Sequence, residues 1–268
     1  MFYAVDIGGT KVRVASSHLG HSLEHSVKFA TPADTDRLIP LLKLAINKLA
    51  PGAPIDAISM AAPGPLDTTK GIILNPTNIP WKNYPIVREV KRAFDCPVHI
   101  EHDATCGGIA EARLGAGKSY RHVLYITIST GIGHSFIVSG NPVAGIHNPQ
   151  SSNMIVITNE HLTTLENWTS GKAIKHEFGK IAADIHDKAT WRVISRRLAI
   201  LVHNLSGIYA PDVIVLGGGV SVHFDKFISY LRQDLAQLPH AYAVPPIKQA
   251  ENVEFAPALG AMLLSHHR

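Results

Sequence analysis

Asp6-Ile7-Gly8-Gly9-Thr10-Lys11 is the first segment whose residue types can do chemistry. Two adjacent glycines in a β-turn let backbone N–H groups converge on an anion with no Cβ in the way. The Thr10 hydroxyl adds a donor and Lys11 a charge. Asp6, at a strand end, has the chemistry to hold Mg2+ through water. Alone, the segment also reads as a plain hairpin turn. Ser129-Thr130-Gly131-Ile132-Gly133 is a second turn of this kind. It is no P-loop, because the Lys-Ser/Thr ending and following helix are missing, and no dinucleotide fingerprint, because Phe136 replaces the third glycine. Gly217-Gly218-Gly219 also lacks that glycine, with Val222 in its place. It follows a buried strand, where a backbone can pass close to a flat base or a ribose.

Three further groups carry polar chemistry. Asp103 sits where the strand Pro97–Glu101 meets the helix Ala104–Leu114. It reads either as the helix N-cap or as a general base that takes the proton of a hydroxyl attacking phosphorus. Asn75-Pro76-Thr77-Asn78-Ile79-Pro80-Trp81 is a polar loop with rigid bends. It is either a surface connector or a sugar-contact loop, since amides both donate and accept toward hydroxyls. Glu166 and Trp168 lie in Leu165-Glu166-Asn167-Trp168, which also suits a helix start.

The elements that must position these groups fall into two α/β blocks. Phe2–Ile7, Lys11–Ser16 and Ser22–Phe29 read as strands, Arg37–Leu49 as a helix, Ile55–Ala61 as a buried strand and Tyr84–Phe94 as a helix. Val123–Ser129, His134–Ser139 and Met154–Thr158 read as strands of the second block. Helices are then expected from Leu162 to Tyr209 with a dip at Asp184–Lys188, followed by the strand Val213–Leu216 and the helices Phe224–Gln237 and Ala256–Ser265. Each block opens with a glycine turn between two strands, as related units would, although no residue-level repeat is visible. The expected division is 1–115 and 116–255, with a C-terminal helix in 256–268 packing back on the first domain. No flexible linker is visible, so the two are expected to share a cleft, with the turns at residues 8 and 130 facing each other and Asp103 at its floor.

Composition removes several classes. With 46% hydrophobic and 17% charged residues the 268-residue chain can bury a large core and is not disordered. A net charge of +4 without a dense Lys/Arg run argues against a nucleic-acid partner. Cys96 and Cys106 are the only cysteines, too few for a disulfide framework and at no zinc spacing. Asp6 interrupts the first apolar run, so no signal peptide is read, and no stretch is long enough for a membrane span. A cytoplasmic protein is expected. The 16 histidines, among them His18, His21, His25 and the pair His266–His267, are scattered as on a solvated surface.

In order along the chain stand Asp6 to Lys11, Ala62-Pro63-Gly64, Asn78-Ile79-Pro80-Trp81, Asp103-Ala104, Thr130-Gly131-Ile132-Gly133 and Gly217-Gly218-Gly219-Val220. In this series the chain resembles the ROK family of bacterial sugar kinases, within the actin/hexokinase/Hsp70 ATPase superfamily. The resemblance covers nearly the whole chain. It implies two ribonuclease-H-like domains around an ATP and sugar cleft, with Mg2+ and ATP as co-substrate, and a homodimer. Gly8, Gly9 and Thr10 are then the first phosphate turn and Thr130 and Gly131 the second. Gly217 and Gly218 border the adenosine. Asp103 is the base, and Gly64, Asn78 and Glu166 join it at the sugar. Glu166 matches the family's glutamate before an Ala-Ser-Gly-like turn, here Thr169-Ser170-Gly171.

The departures are as informative. The family's Glu-x-Gly-His segment, which binds sugar and zinc, is replaced by His147-Asn148-Pro149-Gln150-Ser151-Ser152-Asn153-Met154. Its cysteine-rich zinc loop is replaced by Glu160-His161-Leu162-Thr163-Thr164, so no structural zinc is expected. The family's Asn before the base is His102 here. The phosphate machinery is kept and the sugar pocket rewritten, with Gln150, Ser151 or Asn153 as neutral replacements. That favours a hexose other than glucose, an N-acetylated sugar or another polyol. The rivals are a silent sugar or nucleotide binder, a phosphotransferase with another phosphate donor, and a sugar-sensing regulator. The first strand is read from Phe2, so a regulator's helix-turn-helix ahead of it is not expected.

Overall fold

A computed structural model describes residues 1–143, 151–158, 161–239 and 243–265. His147–Gln150, Glu160 and His266–His267 lie outside the described residues. The chain divides into two units, Met1–Ala110 with Phe255–Arg268, and Glu111–Glu254.

The first unit holds strands β1 (Phe2–Ile7), β2 (Lys11–Ser17), β3 (His25–Ala30), β4 (Ala57–Ala62), the short pair β5 (Leu66–Asp67) and β6 (Ile72–Ile73), and β7 (Val98–His102). Its helices are α1 (Leu38–Leu49), α2 (Ile86–Phe94) and the part of α3 (Asp103–Leu114) up to Ala110, with the chain's last helix, which returns to this unit. The sheet order is β3-β2-β1-β4-β7. β1 to β3 form an antiparallel meander, while β4 and β7 run parallel to β1. β3 begins at His25 rather than Ser22. The Glu24 carboxylate accepts from His18 N–H at 2.8 Å and Ser17 Oγ accepts from Gly20 N–H at 2.8 Å. Side chains thus close the connection before the ladder starts.

The apolar run of β1 is buried on both faces, as a central parallel strand must be. Alternation sends Tyr3, Val5 and Ile7 to one face. There they meet Leu38, Leu42 and Ile46 of α1, Ile86 and Val90 of α2, and Trp81. On the other face Ala4 and Ala61 pack with Cys106 of α3 and Ala258, Ala261 and Met262 near the C-terminus. α1 buries positions 38, 42, 45 and 46, one stripe of a 3.6-residue period. The helix of Asp103 starts at that residue, one earlier than the capping reading has it.

The second unit repeats the plan. Its strands are β8 (His122–Ile128), β9 (Ile132–Val138), β10 (Asn141–Pro142), β11 (Ile155–Thr158), β12 (His161–Thr164), β13 (Val213–Gly217) and β14 (Ile247–Gln249). Its helices are α4 (Leu165–Thr169), α5 (Gly171–Phe178), α6 (Lys188–Tyr209) and α7 (Phe224–Gln237). The order β10-β9-β8-β13-β14 is again an antiparallel meander followed by parallel strands. The likeness of the two blocks thus lies in topology. Leu124, Ile126 and Ile128 of β8 pack on Leu198, Leu201 and Leu205 of α6 and on Phe227 and Leu231 of α7. Leu162–Thr164, expected to open a helix, instead pairs with β11 as part of β12. The helix starts only at Leu165, where the Thr164 side chain caps Asn167 N–H at 3.2 Å. The last helix, α8 (Ala256–Leu264), lies on β1 and β4 of the first unit.

Glu111, fully buried near the end of α3, accepts three backbone N–H bonds within the second unit. Oε2 takes Ala116 and Glu251, both at 3.0 Å, and Oε1 takes Asn252 at 2.7 Å. A buried carboxylate needs such donors. They hold the outgoing and the returning chain to one side chain.

Candidate active site

The parallel strands of the first unit end side by side, and the expected residues stand at those ends. Asp6 of β1 is in register with Ala61 of β4, and Ala61 with Glu101 of β7. Gly64 follows β4 by two residues, and Asp103 follows β7 directly. Open α/β sheets take ligands at this carboxyl edge. Asp6 shares the face of Ala4 and Cys106 by strand alternation. Loss of solvation, and then the neighbouring Asp103 charge, push its carboxyl up from 3.8 to about 7. Arg13, opposite Asp6 on β2, and Lys28, opposite Arg13 on β3, pull the other way. The buried Arg13 guanidinium stacks on the Phe255 ring at 4.1 Å.

A carboxyl raised in the folded protein favours folding only while it is protonated. Its contribution is complete below 3.8, where the unfolded group titrates, and is lost as pH rises through about 7. Asp6→Asn is therefore expected to flatten the decline of thermal stability between about pH 4 and 7. Wild type and variant should differ least at low pH and most above pH 7. Parallel melting profiles would show that Asp6 carries no such burden.

The first glycine turn is tied down by a residue that sequence reasoning missed. Thr31, just past β3, donates from Oγ1 to Gly8 O at 2.7 Å and from its N–H to Thr10 O at 3.1 Å. Gly8 N–H donates to Lys11 O at 2.9 Å. A Cβ on Gly9 would stand 2.9 Å from Asn78 O, so the Asn78 loop lies directly on the turn. Asn78 is exposed, on a loop anchored by buried residues on either side. Ile79 and Trp81 are buried, and the Trp81 indole donates to Pro32 O at 2.9 Å. The first unit thus gathers Asp6, Gly8, Gly9, Asn78 and Asp103. Thr10 and Lys11 are exposed at the start of β2.

The second unit gathers another set. Ser129 N–H donates to Gly131 O at 2.9 Å, closing the second turn. Glu166 Oε2 accepts Ile132 N–H at 3.1 Å and would be 2.6 Å from a Cβ on Gly131. Gly171 N–H, at the start of α5, donates to Ser129 O at 2.7 Å. Gly218 has φ +82°, and its Cβ would meet Ile128 O at 2.5 Å, so only glycine fits this contact between the third glycine segment and β8. A Cβ on Gly217 would strike the Tyr125 hydroxyl at 2.2 Å. Thr130, Gly131, Glu166, Gly217 and Gly218 are brought together around one end of β8. Trp168 is structural: the Arg197 guanidinium lies 5.4 Å from its ring and is also paired with Glu177.

Of the neutral replacements in the rewritten segment, Gln150 lies outside the described residues. Ser151 is buried, its Oγ 2.6 Å from His134 Nδ1, while His134 Nε2 lies 2.9 Å from the Tyr209 hydroxyl. Asn153 is exposed. Among the described residues no group of three or more His, Cys, Asp or Glu side chains is placed to hold a metal, and no helix is long and apolar enough to cross a membrane.

The chain is similar to known proteins in sequence and in fold. A fructokinase of Zymomonas mobilis is 27% identical, over 90% of this chain and 87% of its own. The crystal structure of a ROK hexokinase from Thermus thermophilus superposes with a TM-score of 0.78 at 27% identity, covering 98% of this chain and 96% of that one. A ROK glucokinase from Streptomyces griseus, solved with glucose and AMPPNP, has the same fold, with a TM-score of 0.83 at 21% identity and 98% coverage of both chains. The fold is that of the actin-like ATPases. The ROK family profile matches residues 2–268, and the chain belongs to the ROK family.

Proposed function

We propose that this chain is a sugar kinase that transfers the γ-phosphoryl group of ATP to a hydroxyl of a hexose or hexose derivative, with Asp103 as the general base. The observation that carries the reading is the gathering of Asp6, the Gly8-Gly9 turn, Asn78 and Asp103 at the carboxyl ends of β1, β4 and β7. Gly9 and Thr10, in the turn that Gly8 closes through its bond to Lys11 O, join Thr130 and Gly131 in gripping phosphate oxygens through backbone N–H groups and hydroxyls. Gly217 and Gly218 border the adenosine. Asn78 and Glu166 contact the sugar, with Gly64 leaving room beside Asp103.

The residues present fit Mg2+. It is held by one or two carboxylates, several waters and the substrate's phosphates rather than by an all-protein cage. Asp6, crowded by a second carboxylate and poorly solvated, is a group that a cation relieves. The ion supplies charge neutralisation at the phosphates; the chain supplies orientation and the proton acceptor. The absence of the Glu-x-Gly-His segment favours an acceptor other than glucose. Cytoplasmic location, where ATP is abundant, and a homodimer belong to the same proposal.

The test is phosphoryl transfer by purified protein with Mg2+–ATP against hexoses, amino sugars, N-acetyl sugars and polyols. At least one acceptor is expected to raise ADP release roughly 100-fold or more over the acceptor-free rate, since water lacks the orientation a bound hydroxyl has. Tight nucleotide and sugar binding with no stimulated turnover would instead identify a silent binder.

A further inference from the structure

We infer that His102 positions Asp103: its Nδ1–H donates to Asp103 Oδ1 and leaves Oδ2 as the oxygen that receives the acceptor's proton. This rests on the reading of Asp103 as the base. His102 is the last residue of β7 and is buried. Its backbone N–H is held by Glu101 Oε1 at 2.8 Å. Its Nδ1 stands 3.1 Å from Asp103 Oδ1. Ala104 N–H lies 2.7 Å from the same oxygen and 3.3 Å from Nδ1.

One N–H carries one proton, and the shorter, charge-assisted contact takes it. Ala104 therefore donates to Asp103. A bare Nδ1 lone pair 3.1 Å from a carboxylate oxygen repels it, so Nδ1 carries a proton. Oδ1 then accepts two N–H bonds, which fixes the plane of the carboxylate. Oδ2 takes no hydrogen bond among the described residues. In the transfer the acceptor oxygen forms a bond to the γ-phosphorus and gives its proton to Oδ2. The bond from phosphorus to the β,γ-bridging oxygen breaks, and ADP leaves with that electron pair.

Two measurements on the full chain test this. The 15N spectrum of labelled protein, with His102 assigned by the loss of its signal in His102→Asn, should show a proton on Nδ1. A ring protonated on Nε2 alone overturns the proposal. In kinetics, His102→Leu should lower kcat about 10–100-fold, the range a loosened reacting group costs, with both KM values within about threefold. His102→Asn, which keeps an N–H donor of similar reach, should recover most of the loss. In an Asp103→Asn background, His102→Leu should cost nothing further. Asn no better than Leu, or a full second loss in that background, overturns the role. If the wild-type chain phosphorylates no acceptor, the kinase reading falls, while the 15N spectrum still decides the hydrogen bond.

Discussion

Asp103→Asn is expected to lower kcat by about 10²–10⁴-fold, the range that a positioned general base contributes, while the dissociation constant for Mg2+–nucleotide stays within about threefold. The substitution keeps the shape and an oxygen that can still accept Ala104 N–H, the 2.7 Å bond that seats the side chain. It replaces the remaining oxygen by an amide that cannot take a proton. The attacking hydroxyl then keeps its proton through the transition state. The loss should fall on kcat rather than on sugar KM, because the interaction removed is made only as the hydroxyl attacks. Removing this charge also relieves Asp6, whose carboxyl Asp103 helps to push upward, so nucleotide binding is not expected to suffer. Coupled ADP release and calorimetric titration measure the two quantities. Turnover within about threefold of wild type would take Asp103 out of the chemistry.

Gly260→Ala is expected to give the largest loss of stability, about 3 kcal/mol or more, with a melting temperature roughly 6–12 °C lower. A Cβ there would lie 1.7 Å from Cys106 O and 2.4 Å from Cys106 C, backbone atoms of α3 that cannot rotate away. α8 must move off α3, and with it the contacts of Ala258, Ala261 and Met262 with Ala4 and Ala61. Gly219 is the control. It has no atom within 4 Å of an added Cβ and no positive φ, so Gly219→Ala should change stability by no more than about 0.5 kcal/mol. Differential scanning calorimetry of the two variants makes the comparison. Equal melting points would mean that the two helices are not in close contact.

What the sequence revealed was local. The glycine turns and Asp103 announce themselves because the residues that matter are adjacent, and the strand-glycine-strand pattern places them. Thr31 and Glu111 did not, and His102 stood out only as a replacement for the family's Asn. Thr31 acts on Gly8 from the far end of a hairpin, and Glu111 takes donors from residues 251 and 252. His102 matters through an orientation of its ring that spacing does not encode. The error at Leu162–Thr164 has a similar origin. Leu162, Leu165 and Trp168 carry a helical period, but pairing with Ile155–Thr158 decides the first three residues. β14 was missed because three residues after Pro245-Pro246 hold too little pattern, and only the parallel pairing with β13 makes them a strand.

The ribosome meets the two units in an uneven order. Met1–Ala110 emerges first, but its sheet lacks α8, which follows only after the whole of Glu111–Glu254. At about 5–20 residues per second, that interval is on the order of ten seconds. Throughout it, the alanine-lined side of β1 and β4 has only Cys106 of α3 against it and lacks Ala258, Ala261 and Met262 of α8. The continuous second unit can close on its own in that time. The nascent first unit must wait, so its exposed face is where a chaperone has most to do.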